Sequence, residues 1–164
     1  MIIYHPFKDA NHCLYRIISL LYKNKSSVSE EQISFMDFYY LFPSQLKNIT
    51  GWPRSNSKLA TDIVKIDDSY EKIENPRRVF FELSIIRKNT LAHLFSKKIL
   101  SLNENTLYLH EEKIPADLIN KLQTDSFRKG FEYNVIAKEI PKIKFKGKNG
   151  LKAKTNLMEY RYDN

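Results

Sequence analysis

From Val79 to Phe95 the chain carries an uninterrupted helical repeat, with Val79, Phe80, Leu83, Ile86, Thr90, Leu91, Leu94 and Phe95 recurring at steps of three and four. Asn75-Pro76 stands just before it. Asparagine caps a helix start and proline suits the first helical position, so the pattern predicts a helix over 76–98 whose apolar stripe needs a core to face.

The neighbouring segments supply that core. Ala10, Cys13, Leu14, Ile17, Ile18 and Leu21 mark an amphipathic helix over roughly 7–23, after His5-Pro6. Ser29-Glu30-Glu31-Gln32 fits a capping box and starts a second helix. That helix runs through Phe35, Met36, Phe38, Tyr39, Tyr40, Leu41 and Phe42, too continuous for one buried stripe, so it either sits centrally or is partly an interface, and Pro43 ends or kinks it. Residues 54–75 read as a polar connector with a short helix over Leu59, Ile63 and Ile66. Past the long helix, Ile99–Leu102 and Thr106–His110 flank Asn103-Glu104-Asn105 as a small hairpin, and Pro115 opens a fourth helix. The fold expected is mainly α with a small β-hairpin wing, a winged-helix-like α+β arrangement.

A chain of 164 residues has room for one core. The reading divides it into a globular domain, 1–137, and a basic C-terminal tail, 138–164. The domain comprises a helical region over 1–53, the connector 54–75 and a winged-helix-like region over 76–137. The net charge is +8, and between Lys138 and Lys154 seven lysines face Glu139 alone. Ile140, Ile143 and Phe145 alternate with those lysines, which suggests an edge strand or a segment that orders on binding. A single cysteine, no apolar run long enough for a membrane helix and no leader-like N-terminus point to a cytoplasmic protein.

No catalytic constellation emerges. His5, Asp9 and His12 would put a carboxylate between two imidazoles on one helix face, but a helix-start role explains them more simply than a metal site. Cys13 lies on the apolar side of the first helix, where a thiol is hard to activate. The four glycines are scattered and build no phosphate loop. Neither enzymatic activity nor a cofactor is expected. What stands out is aromatic content, ten Tyr and ten Phe, and clustered positive charge. Excess rings suit a protein interface. Arg77, Arg78, Arg87, Lys88, Lys97 and Lys98 along the long helix, Arg77 and Arg78 foremost, with Lys142, Lys144, Lys146 and Lys148 in the tail, suit phosphate contact without base reading.

Several blocks are similar to one family. Tyr4-His5-Pro6, Asp9, His12-Cys13 and Tyr15-Arg16 look like its opening, and Asp37-Phe38-Tyr39 with Leu41-Phe42-Pro43 like its second block. Tyr70-Glu71, Asn75-Pro76-Arg77-Arg78, Phe81, Leu83, Thr90-Leu91 and Leu94 look like its middle helix, and Pro115 and Leu118 like its last block. The family is the middle components of ABC-three-component systems, including the C subunit of Lamassu anti-phage and anti-plasmid defence. The similarity extends to about residue 125. Arg87 stands where the pattern has glutamine, Ile99 follows Lys98 where a glycine is usual, and the tail has no counterpart. The resemblance implies a small accessory subunit joining an SMC-like ABC ATPase to an effector, often a nuclease, in a complex that senses foreign DNA. On that reading Tyr15, Arg16, Phe38, Tyr39 and Phe42 form the protein interface, and the basic residues contact double-stranded DNA. The other reading is a stand-alone winged-helix transcriptional regulator.

Overall fold

Local capping sets the helix starts. The computed structural model describes residues 9–52, 57–70 and 72–159. Asp9 accepts from the amides of Asn11 and His12 at 2.8 and 3.4 Å and opens α1 (Ala10–Leu21). Ser29 and Gln32 form the expected capping box of α2 (Glu30–Leu41), each bonding the other's amide at about 3 Å. Pro43 does not kink this helix; it begins a separate 3-10 turn, Pro43–Asn48. The connector contains α3 (Ser57–Val64), which buries Leu59 and Ile63. Asn75 caps α4 (Pro76–Ser96) by accepting from the Arg78 amide at 3.1 Å.

β1 (Leu100–Asn103) and β2 (Thr106–Leu109) pair antiparallel, Leu100 opposite Leu109 and Asn103 opposite Thr106. Glu104 and Asn105 both have positive φ, 47° and 67°, the two-residue turn that matches strand twist. The tight turn between α4 and β1 exists without glycine, because Lys98 itself takes the left-handed conformation at φ 58° and Ile99 donates back to the Leu94 carbonyl. Leu107 is buried and its amide donates to Val28, pinning the hairpin to the α1–α2 connection. α5 (Ala116–Thr124) follows.

Beyond it the C-terminal segment departs from the expected edge strand. α6 (Phe131–Asn134) continues into a π-helical turn, Val135–Glu139, and a 3-10 turn, Ile140–Lys142; α7 (Leu151–Thr155) comes last. Val135, Ile136, Ile140 and Ile143 are spaced for a helix and bury together, which overrides the short alternation around Ile143 and Phe145. The Gln32 side chain donates to the carbonyls of Pro141 and Ile143 at 2.8 and 3.1 Å, occupying acceptors that strand pairing would have used. Ile140, Ile143, Leu151 and Leu157 belong to the same hydrophobic cluster as Ile17, Phe35 and Leu94. The residues set apart as a tail from 138 onward therefore contribute to the core.

Candidate functional site

The centre of the helical packing is ionic. Arg16 on α1 donates from Nε to Asp37 Oδ1 on α2 at 2.6 Å, and Arg87 Nη1 on α4 lies 3.6 Å from Asp37 Oδ2. All three side chains are shut off from solvent. Two guanidiniums share one carboxylate, and one Nη1 of each arginine finds no hydrogen-bond partner. Burial lowers the pKa of Arg87, against the opposing pull of Asp37. Cys13 lies alongside, and burial, reinforced by Asp37, pushes its thiol upward from the ordinary value. This centre ties three helices together and presents no activated nucleophile.

Three of the five expected interface residues are used internally. Phe38 is 0% exposed, Tyr39 2% and Arg16 3%, so their side chains are committed to the chain's own core and not to a surface contact. The Phe38 ring packs on Phe42 and Phe80 with centroids 5.3 and 5.9 Å apart. The apolar residues of α2 point to more than one side because other elements cover the helix on several sides, namely α1, α4 and the C-terminal turns. Tyr15 and Phe42 are half-buried; the Tyr15 hydroxyl donates to Asp125 at 2.6 Å and its ionisation is pushed upward by burial and that bond. The exposed rings lie elsewhere. On α4, Phe81 is 70% and Ile85 61% exposed, one turn apart, facing away from the core. Phe81 also lines a groove of about 540 Å³, with Phe80, Leu91, Leu157 and Met158 together with Arg87 and Glu31. The signal for this surface was Phe81 and Ile85 falling off the α4 stripe.

The arginines of the long helix are likewise engaged. Arg77 donates to the Asn156 carbonyl and side chain at 2.7 and 2.6 Å, fastening α4 to the C-terminal segment. Arg78 pairs with Glu82 one turn on. Lys142, Lys144, Lys146 and Lys148 are all exposed, and Lys142 pairs with Glu139 at 3.0 Å. Lys142, Lys144 and Lys146 line a single concavity of about 360 Å³ with Asn149 and Lys154, while Lys148 lies outside it. A tight loop displays them: Leu151 donates to the Lys144 carbonyl at 2.7 Å, and a Cβ on Gly150 would meet the Lys146 carbonyl oxygen at 2.5 Å. Glycine is required there by close approach.

His5, the first histidine of the candidate metal triad, lies outside the described residues, as do Tyr4, Pro6 and Glu71 of the resemblance. Asp9 is turned to the α1 amides. Among the described residues no group of three or more His, Cys, Asp or Glu is arranged to hold a metal ion, and no helix is long and apolar enough to cross a membrane.

The described residues thus combine a small helical fold and hairpin with an ionic core, an exposed apolar pair on the long helix and a lysine-lined face. The model of the ABC-three component (ABC-3C) system Middle Component 5 family matches residues 2–163, and the chain belongs to that family. The match runs through the basic segment, so this segment has a counterpart in the family and the similarity does not stop near residue 125. No curated protein and no solved structure matches the chain.

Proposed function

We propose that this chain is the accessory subunit that joins an SMC-like ABC ATPase to an effector, a nuclease, in a Lamassu-like anti-phage or anti-plasmid complex, and that it supplies no catalytic centre of its own. The observation that carries the reading is the family match along nearly the whole chain, since a middle component has partner components in the same system. With Phe38, Tyr39 and Arg16 used in the core, the protein contact moves to Phe81 and Ile85 and the groove beside them. An exposed apolar pair on the longest helix is the kind of surface a partner covers. The exposed lysines of 142–148 provide sequence-independent contact with double-stranded DNA, where phosphates set affinity and bases are not read.

The test is co-expression of the tagged chain with the genes that flank its own, followed by size-exclusion chromatography and mass spectrometry. Recovery of a coiled-coil ABC ATPase with an effector is expected, and Phe81→Ser with Ile85→Ser should release them while leaving the far-ultraviolet circular dichroism unchanged. Elution of the wild-type chain alone, with sequence-preferring binding to short duplexes, would overturn this reading in favour of a winged-helix regulator.

A further inference from the structure

A second concavity, of about 650 Å³, adjoins the lysine-lined one, and Lys142 lines both. Its walls come from two segments far apart in sequence: the connection after α1, with Lys23 and Lys25, and the π-turn, with Ala137, Lys138 and Glu139. Asn24 joins them, donating from Nδ2 to the Leu20 and Ala137 carbonyls, each at 2.9 Å. Lys23 turns the chain at φ 57°. π-turns are uncommon and concentrate at functional positions; here one turn buries Val135 and Ile136 while giving Lys138 to the concavity.

Arg128 completes the wall. Its guanidinium donates from Nη1 to the Leu122 carbonyl and from Nη2 to the Tyr22 carbonyl, both at 3.0 Å, and stacks against the Tyr22 and Tyr133 rings, so its charge is held in place. Together the linings of the two concavities carry eight cationic side chains against one lining carboxylate, Glu139, while Lys23 also pairs with Glu111 at 2.9 Å; the chain as a whole has a net charge of +8. Charge gathered into adjoining concave surfaces focuses potential on a polyanion.

We infer that these two concavities form one continuous track for the phosphate backbone of duplex DNA, running from Lys25 and Lys138 past Lys142 to Lys144 and Lys146. The inference rests on the DNA contact proposed above and specifies its course: Lys23, Lys25 and Lys138 join it, and Arg77 and Arg78 leave it. Duplex rather than single-stranded DNA is the occupant, because a single-strand channel adds exposed rings on which bases stack. Of the rings along this track, Tyr22 and Tyr133 are buried beneath Arg128, and Phe145, half-buried between Lys144 and Lys146, packs on Phe35 and is covered by the Lys152 ammonium 4.9 Å from its centroid. An acidic protein surface would meet a patch of mixed sign and hydrogen-bonding groups more readily than this lysine-dominated one.

The experiment is fluorescence anisotropy of a labelled 20-base-pair duplex with the full-length chain across a salt series. Three charge-matched double variants are compared: Lys25→Glu with Lys138→Glu, Lys144→Glu with Lys146→Glu, and Lys65→Glu with Lys97→Glu, neither of which lines either concavity, as a control. Each lysine is exposed, and thermal melting checks that each variant is folded. Two lost phosphate contacts should make the slope of log K against log salt shallower by about 1.8 and weaken binding about 30-fold near 0.15 M salt. Both track pairs should show this and the control pair less than a two-fold change. Equal weakening by the control pair would mean diffuse attraction and overturn the track. Tighter binding of a single strand than of the duplex would overturn the choice of occupant. Loss of complex assembly in the track variants with DNA binding intact would reassign the surface to an acidic subunit. If the complex assembles but no variant or wild-type chain binds DNA, the track fails while the subunit reading stands; the reverse result rejects the subunit reading alone.

Discussion

Replacing Asp37 by Asn should be among the most damaging single changes to this fold, although it alters one atom. Asp37 is wholly buried and, among the described residues, is the carboxylate with which both Arg16 and Arg87 pair. Removing its charge leaves two guanidiniums facing each other without a counterion, in a centre that already has unpartnered donors at Arg16 Nη1 and Arg87 Nη1. Breaking a buried ion pair by deleting one partner costs about 3–5 kcal/mol. Total stability for a domain is about 5–15 kcal/mol, so the loss is a large share of it. At about 2–4 °C per kcal/mol for a chain of this size, the melting temperature should fall by about 10 °C. The two arginines should not behave alike. Arg16 donates at 2.6 Å, whereas Arg87 stands at 3.6 Å and is held in part by the Phe80 ring 5.3 Å from its guanidinium carbon. Arg87→Gln should therefore cost less than Arg16→Gln, and should partly rescue Asp37→Asn by removing one uncompensated charge. Urea unfolding followed by circular dichroism measures all four proteins. An Asp37→Asn loss below about 1 kcal/mol, the size of an exposed pair, would refute the argument that these charges are desolvated and coupled.

Phe35 is completely buried with its ring centroid 5.0 Å from Phe80 and 6.1 Å from Phe145, so Phe35→Ala should lower stability in urea by about 3–5 kcal/mol. Gln32→Ala removes half of the α2 capping box and the two bonds to Pro141 and Ile143; hydrogen exchange should speed up at the α2 start and in the 3-10 turn while the hairpin stays protected. Stability should decline as pH rises above about 9–10, because the Cys13 thiol and the Tyr40 hydroxyl, the latter pushed up to about 12 by burial, ionise more readily in the unfolded chain. A flat urea midpoint from pH 8 to 11 would contradict that burial. Gly150→Ala should loosen the lysine loop, since the added Cβ collides with the Lys146 carbonyl, and reduce duplex binding without abolishing the helical signal.

Elements with a strong local signal were legible in the chain. The α4 repeat, the Ser29–Gln32 box and the hairpin around Glu104-Asn105 each rest on residues within a few positions of one another, and the structure reproduces them. The sequence left α2 either central or partly an interface and did not decide between them, because a continuous apolar run reads the same whether covered by a partner or by the chain itself. What covers it includes Arg16 from α1, Arg87 from α4 and the turn after Pro141. The two concavities were half legible: Lys142, Lys144 and Lys146 announce themselves as a run, whereas Lys23 and Lys25 join them only because Asn24 reaches the Ala137 carbonyl across 113 positions.

The basic segment illustrates why composition misled about its role in the fold. A run of seven lysines predicts a solvated tail, yet the residues between them decide where the backbone goes. Ile140, Ile143, Leu151 and Leu157 are all buried, and at about 1.5–3 kcal/mol for each buried aliphatic side chain they contribute about 6–12 kcal/mol of apolar transfer. That is comparable with the whole net stability of a domain. Truncation before Lys138 would therefore test folding and not charge, and loss of binding in such a fragment would carry no information about DNA. Only substitution of the outward lysines, with the aliphatic positions left intact, separates what holds this segment in place from what it presents to a partner.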